Sequence, residues 1–124
     1  MTKEVIKEMV RVLHPVIKKA GCKLVGSAKY IDKLDKVNDI DINCKDVYSC
    51  EKIVKYLVDR GYIIGVEKYF MRRMKKPCSP PIDIICKRDF SFDSNIRFLL
   101  KRGDKKSLTI AKLMIEEKIN EMTK

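Results

Sequence analysis

An alternating segment at residues 39–44 constrains the fold of this chain more than any other feature. It reads Asp-Ile-Asp-Ile-Asn-Cys, so polar and apolar side chains alternate with a period of two residues. Successive side chains of a strand point to opposite faces of a sheet. The pattern therefore predicts a strand whose Ile40 and Ile42 face a core, while Asp39 and Asp41 project together from the other face.

Four other segments show the spacing of amphipathic helices. Their apolar residues recur every three or four positions, and charged residues fall between them. The segments are residues 2–20, 49–60, 94–102 and 107–122. In the last segment the pattern predicts an inward face made of Leu108, Ala111, Ile115, Ile119 and Met122.

Five short segments are predicted to be strands, namely residues 22–25, 39–44, 62–66, 69–74 and 82–86. Helices interleaved with strands indicate an α/β or α+β fold, with a small sheet of four or five strands covered by helices. The short connections after residue 62 favour antiparallel neighbours, so the sheet is predicted to be mixed. A chain of 124 residues has room for one core, and we expect a single domain over residues 1–124.

Neither a membrane span nor a secretion signal is evident in the sequence. Uncharged apolar runs such as residues 62–66 are far shorter than a bilayer requires. Lys3, Glu4 and Lys7 interrupt the N-terminal segment, where a signal peptide needs an apolar stretch. We therefore expect a cytoplasmic protein without membrane contact.

The chain carries a formal net charge of +11. Such a charge attracts polyanions, and it favours DNA or RNA as a partner. Charged residues of either sign make up 36% of the chain, so a generally lysine-rich surface is the alternative explanation.

A third acid, Asp83, stands in the predicted strand at residues 82–86 among isoleucines. If that strand lies beside residues 39–44, three carboxylates converge. Like charges so close together repel each other and call for a cation between them. Hard divalent ions take oxygen ligands, so the three acids are candidates to hold two Mg²⁺ or Mn²⁺ ions.

Other interpretations of the acids stay open at this point. An alternating Asp-x-Asp strand also occurs as an ordinary half-exposed strand, and a glycosidase-type acid pair is chemically possible. A calcium-binding loop is excluded. Counted from Asp39, its sixth position is Cys44 rather than glycine, and its twelfth is Cys50 rather than glutamate.

A Gly-Ser pair, Gly26-Ser27, follows the apolar Leu24-Val25 and precedes Asp39 by 13 positions. Glycine lets the backbone approach a ligand closely, and a serine hydroxyl with exposed amides binds phosphate oxygens. Together with Asp39-Ile40-Asp41-Ile42 and Ile82-Asp83-Ile84, this pattern resembles the DNA polymerase β-like nucleotidyltransferase superfamily. The resemblance covers about residues 22 to 88 and implies a palm-like nucleotidyltransferase fold.

The resemblance also implies a chemistry for these residues. Gly26 and Ser27 would bind the triphosphate of an NTP or dNTP such as ATP. Asp39, Asp41 and Asp83 would be catalytic and would hold two metal ions. Asp83 would help to take the proton of an acceptor hydroxyl, which attacks the α-phosphate in line and expels pyrophosphate.

The sequence departs from the family pattern in two places. Many members have Ala-Arg-Gly soon after Gly-Ser, whereas this chain has Ala28-Lys29-Tyr30, so Lys29 is the nearby candidate for a phosphate contact. Arg88-Asp89-Phe90 is similar to a short motif of the tRNA CCA-adding and poly(A) polymerase branch, and a simple Arg-Asp pair at a strand end is the alternative.

A basic segment surrounds the third acid. Residues 68–88 contain seven basic side chains and one acidic side chain, Asp83. Such a segment suits a triphosphate or a nucleic-acid backbone, and solvated loops are the alternative. The candidate phosphate or nucleic-acid contacts are Arg72, Arg73, Lys75, Lys76 and Arg88.

The leading hypothesis is therefore a metal-dependent nucleotidyltransferase that transfers a nucleoside monophosphate to a hydroxyl of DNA or RNA. One alternative is an antitoxin-type nucleotidyltransferase that modifies a partner protein. Another is a non-catalytic, basic nucleic-acid-binding module whose acids only decorate a strand. The chain has no evident room for further polymerase domains, so processive synthesis would require a homodimer or a partner protein.

Overall fold

A computed structural model describes residues 2–68, 70–86 and 91–123 of the chain. The chain divides into two compact units, Met1–Arg88 and Asp89–Lys124. The prediction that residues 1–124 form one domain is not tested by this division and stays a prediction. Within the described ranges, no helix is both long and apolar enough to cross a membrane.

The described residues of the first unit form two α-helices and five strands, and every predicted strand is present with ends within two residues of the prediction. A short 3-10 segment, Ser27–Lys33, follows the first strand. The elements are α1 (Lys3–Lys19), β1 (Lys23–Val25), β2 (Ile40–Cys44), α2 (Val47–Asp59), β3 (Ile63–Lys68), β4 (Met71–Lys75) and β5 (Ile82–Cys86).

The five strands form one mixed sheet in the order β1-β2-β5-β4-β3. The pair β2 and β5 is parallel, while β1 with β2, β4 with β5, and β3 with β4 are antiparallel. The prediction of a mixed α+β fold is thereby confirmed. The short β3–β4 and β4–β5 connections join antiparallel neighbours, as expected for short loops.

One face of the sheet is apolar and carries the core. Ile40, Ile42, Ile82 and Ile84 are at most 1% exposed. Helix α1 packs against β1 and β2, and α2 packs against β2 and β5. Arg72, which points to the same face as Ile84, forms an ion pair with the α2 side chain of Glu51, and this contact places α2 on the isoleucine face.

The second unit consists of α3 (Phe92–Arg102) and α4 (Lys105–Met122), both of which were predicted. The predicted inward face of α4 is wrong at four of its five residues, whereas Ala111 is buried as predicted. Leu108, Ile115, Ile119 and Met122 are between 40% and 76% exposed, whereas Ser107, Ile110 and Ala111 are buried. Apolar residues occur on several sides of α4, so periodicity alone does not select the buried side.

Truncation of a core side chain tests this packing. Ile53 of α2 is fully buried, and Val58 of the same helix is 48% exposed. We expect Ile53→Ala to lower the free energy of unfolding by about 2–5 kcal/mol, because it removes buried methyl groups and leaves a cavity. Val58→Ala is the matched control and should change that energy by at most about 0.5 kcal/mol. Urea denaturation measures both, and equal losses would contradict the packing of α2.

Candidate metal and nucleotide site

The three predicted acids meet on the face of the sheet opposite the isoleucine core. Strands β2 and β5 lie side by side, and their register pairs Asp41 with Asp83. Asp39 stands directly before β2, two residues from Asp41. One carboxylate oxygen from each acid lies within 4.8 Å of the others. The expected juxtaposition of the two acid-bearing strands is therefore present.

Apolar burial explains why the acids converge. The same parallel register pairs Ile40 with Ile82 and Ile42 with Ile84, all of them in the core. A slip of one residue would exchange the two faces of a strand and carry its isoleucines into solvent. Burial of the isoleucines thus forces the acids onto one shared face.

An arginine of the neighbouring strand completes the cluster. The register of β4 and β5 pairs Arg73 with Asp83. Arg73 Nε donates to Asp83 Oδ1 over 2.8 Å, and Arg73 Nη2 donates to Asp83 Oδ2, also over 2.8 Å. The same Nη2 lies 3.1 Å from Asp39 Oδ2. From its place in the basic segment Arg73 is predicted to contact phosphate, and its contact with the acids is not predicted by the sequence pattern.

Asp41 is the acid whose ionisation the site disfavours. Burial, followed by the negative charges of Asp39 and Asp83, raises the pKa of Asp41 from 3.8 to about 7. The positive charge of Arg73 acts in the opposite direction and offsets only part of this rise. The cluster thus holds more negative charge than one guanidinium neutralises.

The donor set suits a hard divalent cation. All the candidate ligands are carboxylate oxygens, which Mg²⁺ and Mn²⁺ prefer over nitrogen or sulfur. A divalent ion would also relieve the repulsion that raises the pKa of Asp41. Asp39, Asp41 and Asp83 therefore fit the role of metal ligands.

Gly26 lies directly against the acid cluster. Its φ is +70°, a conformation that side chains rarely adopt, and a Cβ built there would lie 2.5 Å from Asp41 Oδ2. Ser27 follows at the start of the 3-10 segment and is buried. The structure thus brings the predicted Gly-Ser pair beside Asp41. A side chain larger than that of glycine at position 26 would collide with the Asp41 carboxylate.

The other predicted basic residues occupy different places. Arg72 points to the opposite face, where it pairs with Glu51 and Glu67. Lys75 is exposed, and it points to the same face of the sheet as Arg73 because the two residues are two positions apart in β4. Lys76 donates to the backbone oxygen of Arg60 over 2.7 Å.

Lys29 and Arg88 are the remaining predicted phosphate or nucleic-acid contacts. The Lys29 ammonium lies 5.4 Å from the centre of the Tyr30 ring, and Lys29 is exposed. Arg88, with the Arg-Asp-Phe sequence that begins there, lies outside the described residues. Their roles as phosphate or nucleic-acid contacts stay predictions.

A groove of about 600 Å³ lies elsewhere in the first unit, between α1 and the end of α2. Its lining includes Val5, Met9, Val12 and Tyr56, and none of the three clustered acids. The groove is thus separate from the acid cluster.

Comparisons of the chain with protein-family models, with curated proteins and with solved structures find no match. Membership of the polymerase β-like superfamily therefore stays a prediction that rests on the motif residues.

Substitution of Gly26 tests its contact with Asp41. Gly21 has a similar φ of +75°, but its nearest atom to a built Cβ is 3.6 Å away. Both alanine variants should lose about 1 kcal/mol of stability from backbone strain. Gly26→Ala should lose at least about 1 kcal/mol more, because its methyl group collides with Asp41. Denaturation curves give both losses, and equal values would contradict the close approach.

The raised pKa of Asp41 predicts a pH dependence of the metal-free protein. The folded state binds this proton more tightly than the unfolded chain, so the free energy of unfolding should fall as pH rises from about 4 to about 7. Asp41→Asn removes the proton site and should remove up to about 1.4 kcal/mol per pH unit from that slope. Urea denaturation with a chelator at pH 5, 6, 7 and 8 measures the difference. Parallel pH profiles would show that Asp41 titrates normally.

Proposed function

We propose that this chain is a metal-dependent nucleotidyltransferase that transfers a nucleoside monophosphate from an NTP or dNTP to a hydroxyl of DNA or RNA. The observation that carries the proposal is the convergence of Asp39, Asp41 and Asp83, with carboxylate oxygens within 4.8 Å of one another. The contact of Gly26 with Asp41 supports it, because it joins the predicted phosphate-binding pair to the acids.

Each residue has a role in this proposal. Asp39, Asp41 and Asp83 would hold Mg²⁺ or Mn²⁺ ions, which would neutralise phosphate charge and make an acceptor hydroxyl more acidic. Gly26 and Ser27 position the triphosphate of the nucleotide. Asp83 takes the hydroxyl proton as the hydroxyl oxygen bonds to the α-phosphorus, and the bond to pyrophosphate breaks.

A nucleic-acid acceptor is favoured by the charge around the cluster. The strand registers place Lys23 and Lys68 on the same face of the sheet as the acids. Lys75 points to that face too, because it lies two residues after Arg73 in β4. All three lysines are exposed. Exposed cations of this kind bind phosphate backbones without reading sequence.

The finer assignment of the fold belongs to the same proposal. We propose that the sheet is the polymerase β palm-like sheet of the nucleotidyltransferases. Support comes from the Asp-x-Asp strand β2 and its direct pairing with β5, which carries the third acid. The fold by itself does not imply the activity, so the acids carry the argument.

A transfer assay tests the activity. The protein is incubated with Mg²⁺ or Mn²⁺, labelled nucleotides, and separate DNA, RNA and protein acceptors. We expect transfer to a nucleic acid, and Asp39→Asn with Asp41→Asn should reduce it at least about 100-fold, because the ligands of the metal are lost. Asp35→Asn, an exposed acid before β2, is the matched control and should retain transfer.

The other outcomes discriminate among the alternatives. Transfer that survives the double substitution would place the active site elsewhere. Label on a protein acceptor alone would favour the antitoxin-type enzyme. Nucleic-acid binding without metal-nucleotide binding would contradict the enzyme and favour a non-catalytic module.

A further inference from the structure

Arg73 contacts two of the three candidate metal ligands, Asp83 and Asp39. Its guanidinium donates to both oxygens of Asp83 and to one oxygen of Asp39. The Asp83 side chain is only 7% exposed, so water does little to replace this partner. A two-pronged arginine–carboxylate pair is among the stronger and more directional polar contacts in proteins.

A metal ion and this guanidinium compete for the same oxygens. Mg²⁺ binds a carboxylate oxygen at about 2.1 Å, so an ion on Asp83 would lie within about 5 Å of the Arg73 nitrogens at their present positions. Two positive charges this close in a partly buried site repel each other strongly. Metal binding therefore opposes the present position of Arg73.

The side chain has room to leave. Arg73 is 33% exposed, and its backbone is held on both sides by β3 and β5, so side-chain rotation suffices. A guanidinium released from Asp83 needs another oxygen partner. Phosphate oxygens match its geometry as well as a carboxylate does.

We propose that Arg73 closes the acid cluster in the metal-free protein and transfers to the nucleotide phosphates when a metal–nucleotide complex binds. This inference rests on the proposed nucleotidyltransferase function. It makes metal and nucleotide binding cooperative, because free metal must displace the guanidinium while the metal–nucleotide complex offers it new partners. Arg73 thus keeps the metal-free site closed to free metal and binds the nucleotide phosphates directly once the complex is in place.

The next residue along β4 provides a matched control. Arg72 also forms ion pairs, with Glu51 and Glu67, but on the opposite face of the sheet. Arg72→Gln removes the same charge from the same strand without touching the acid cluster. Any effect that comes only from net charge or from weakened β4 packing should therefore appear in both variants.

The experiment measures two affinities at pH 8. Mn²⁺ alone is titrated by electron paramagnetic resonance, and the complex of Mn²⁺ with α,β-methylene ATP, which cannot transfer its nucleotide, is titrated by calorimetry. We expect Arg73→Gln to bind Mn²⁺ alone about 5-fold to about 150-fold more tightly than the wild type. The affinity of Arg73→Gln for the metal–nucleotide complex should not rise by the same factor, because this variant has lost the phosphate contact. Arg72→Gln should match the wild type in both.

The possible results separate this inference from the proposed function. If the wild type binds Mn²⁺ and Arg73→Gln binds it no more tightly, Arg73 does not close the cluster and the inference fails alone. If both affinities rise by the same factor, Arg73 does not reach the phosphates, and the inference fails. If no variant binds Mn²⁺ or its nucleotide complex, the inference and the proposed function both fail.

A second variant guards against loss of folding. Arg73→Gln leaves Asp83 without its partner, so circular dichroism must first show that the variant is folded. If it is not, Arg73→Lys replaces it, since a lysine ammonium cannot reproduce the two-pronged contact. Arg73→Lys should then also bind Mn²⁺ more tightly than the wild type, and an unchanged affinity would overturn the inference.

Discussion

The parallel pairing of β2 with β5 is the constraint on which the rest of the structure depends. It places two pairs of isoleucines in the core and Asp41 opposite Asp83 on the other face. Burial of one isoleucine contributes about 1.5–3 kcal/mol. Burial and the charges of Asp39 and Asp83 raise the pKa of Asp41, so the fold opposes the ionised form of this side chain. Burial of the four isoleucines fixes the register of the two strands, and that register keeps the repelling acids together.

The local interactions within the acid cluster are unfavourable to the stability of the folded protein. Gly26 adopts a positive φ in contact with Asp41, and three carboxylates share one small region with the Arg73 guanidinium. Proteins commonly tolerate such arrangements where they serve function, with the surrounding packing holding them in place. The site therefore depends on the core beneath it more than on its own contacts.

Arg73 stabilises the metal-free protein through the same acids that are the candidate metal ligands. Without a cation the acids would repel each other, and the guanidinium reduces that repulsion by contacting Asp83 and Asp39. A divalent ion would take over the same task with more charge. Under the proposed function, either Arg73 or a divalent ion would neutralise the acids, and only the ion would leave Arg73 available to a phosphate.

Local patterns in the chain were enough to predict the strands, the mixed sheet and the three acids. Alternation is a property of the extended backbone, so Asp39 and Asp41 necessarily share a face wherever that strand packs. The adjacent Arg72 and Arg73 were different, because either could face the acids until the register of β4 was known. The buried side of α4 was also undetermined, since its apolar residues occur on several sides.

The sequence by itself thus determined which residues form strands and which acids project from them, because those properties follow from the covalent geometry of the chain. Only the tertiary structure decided that Asp41 lies opposite Asp83, that Gly26 abuts Asp41, and that Arg73 rather than Arg72 neutralises the acids. These contacts join residues far apart in the chain. Their register is set by the burial of isoleucines across neighbouring strands, which no local pattern contains.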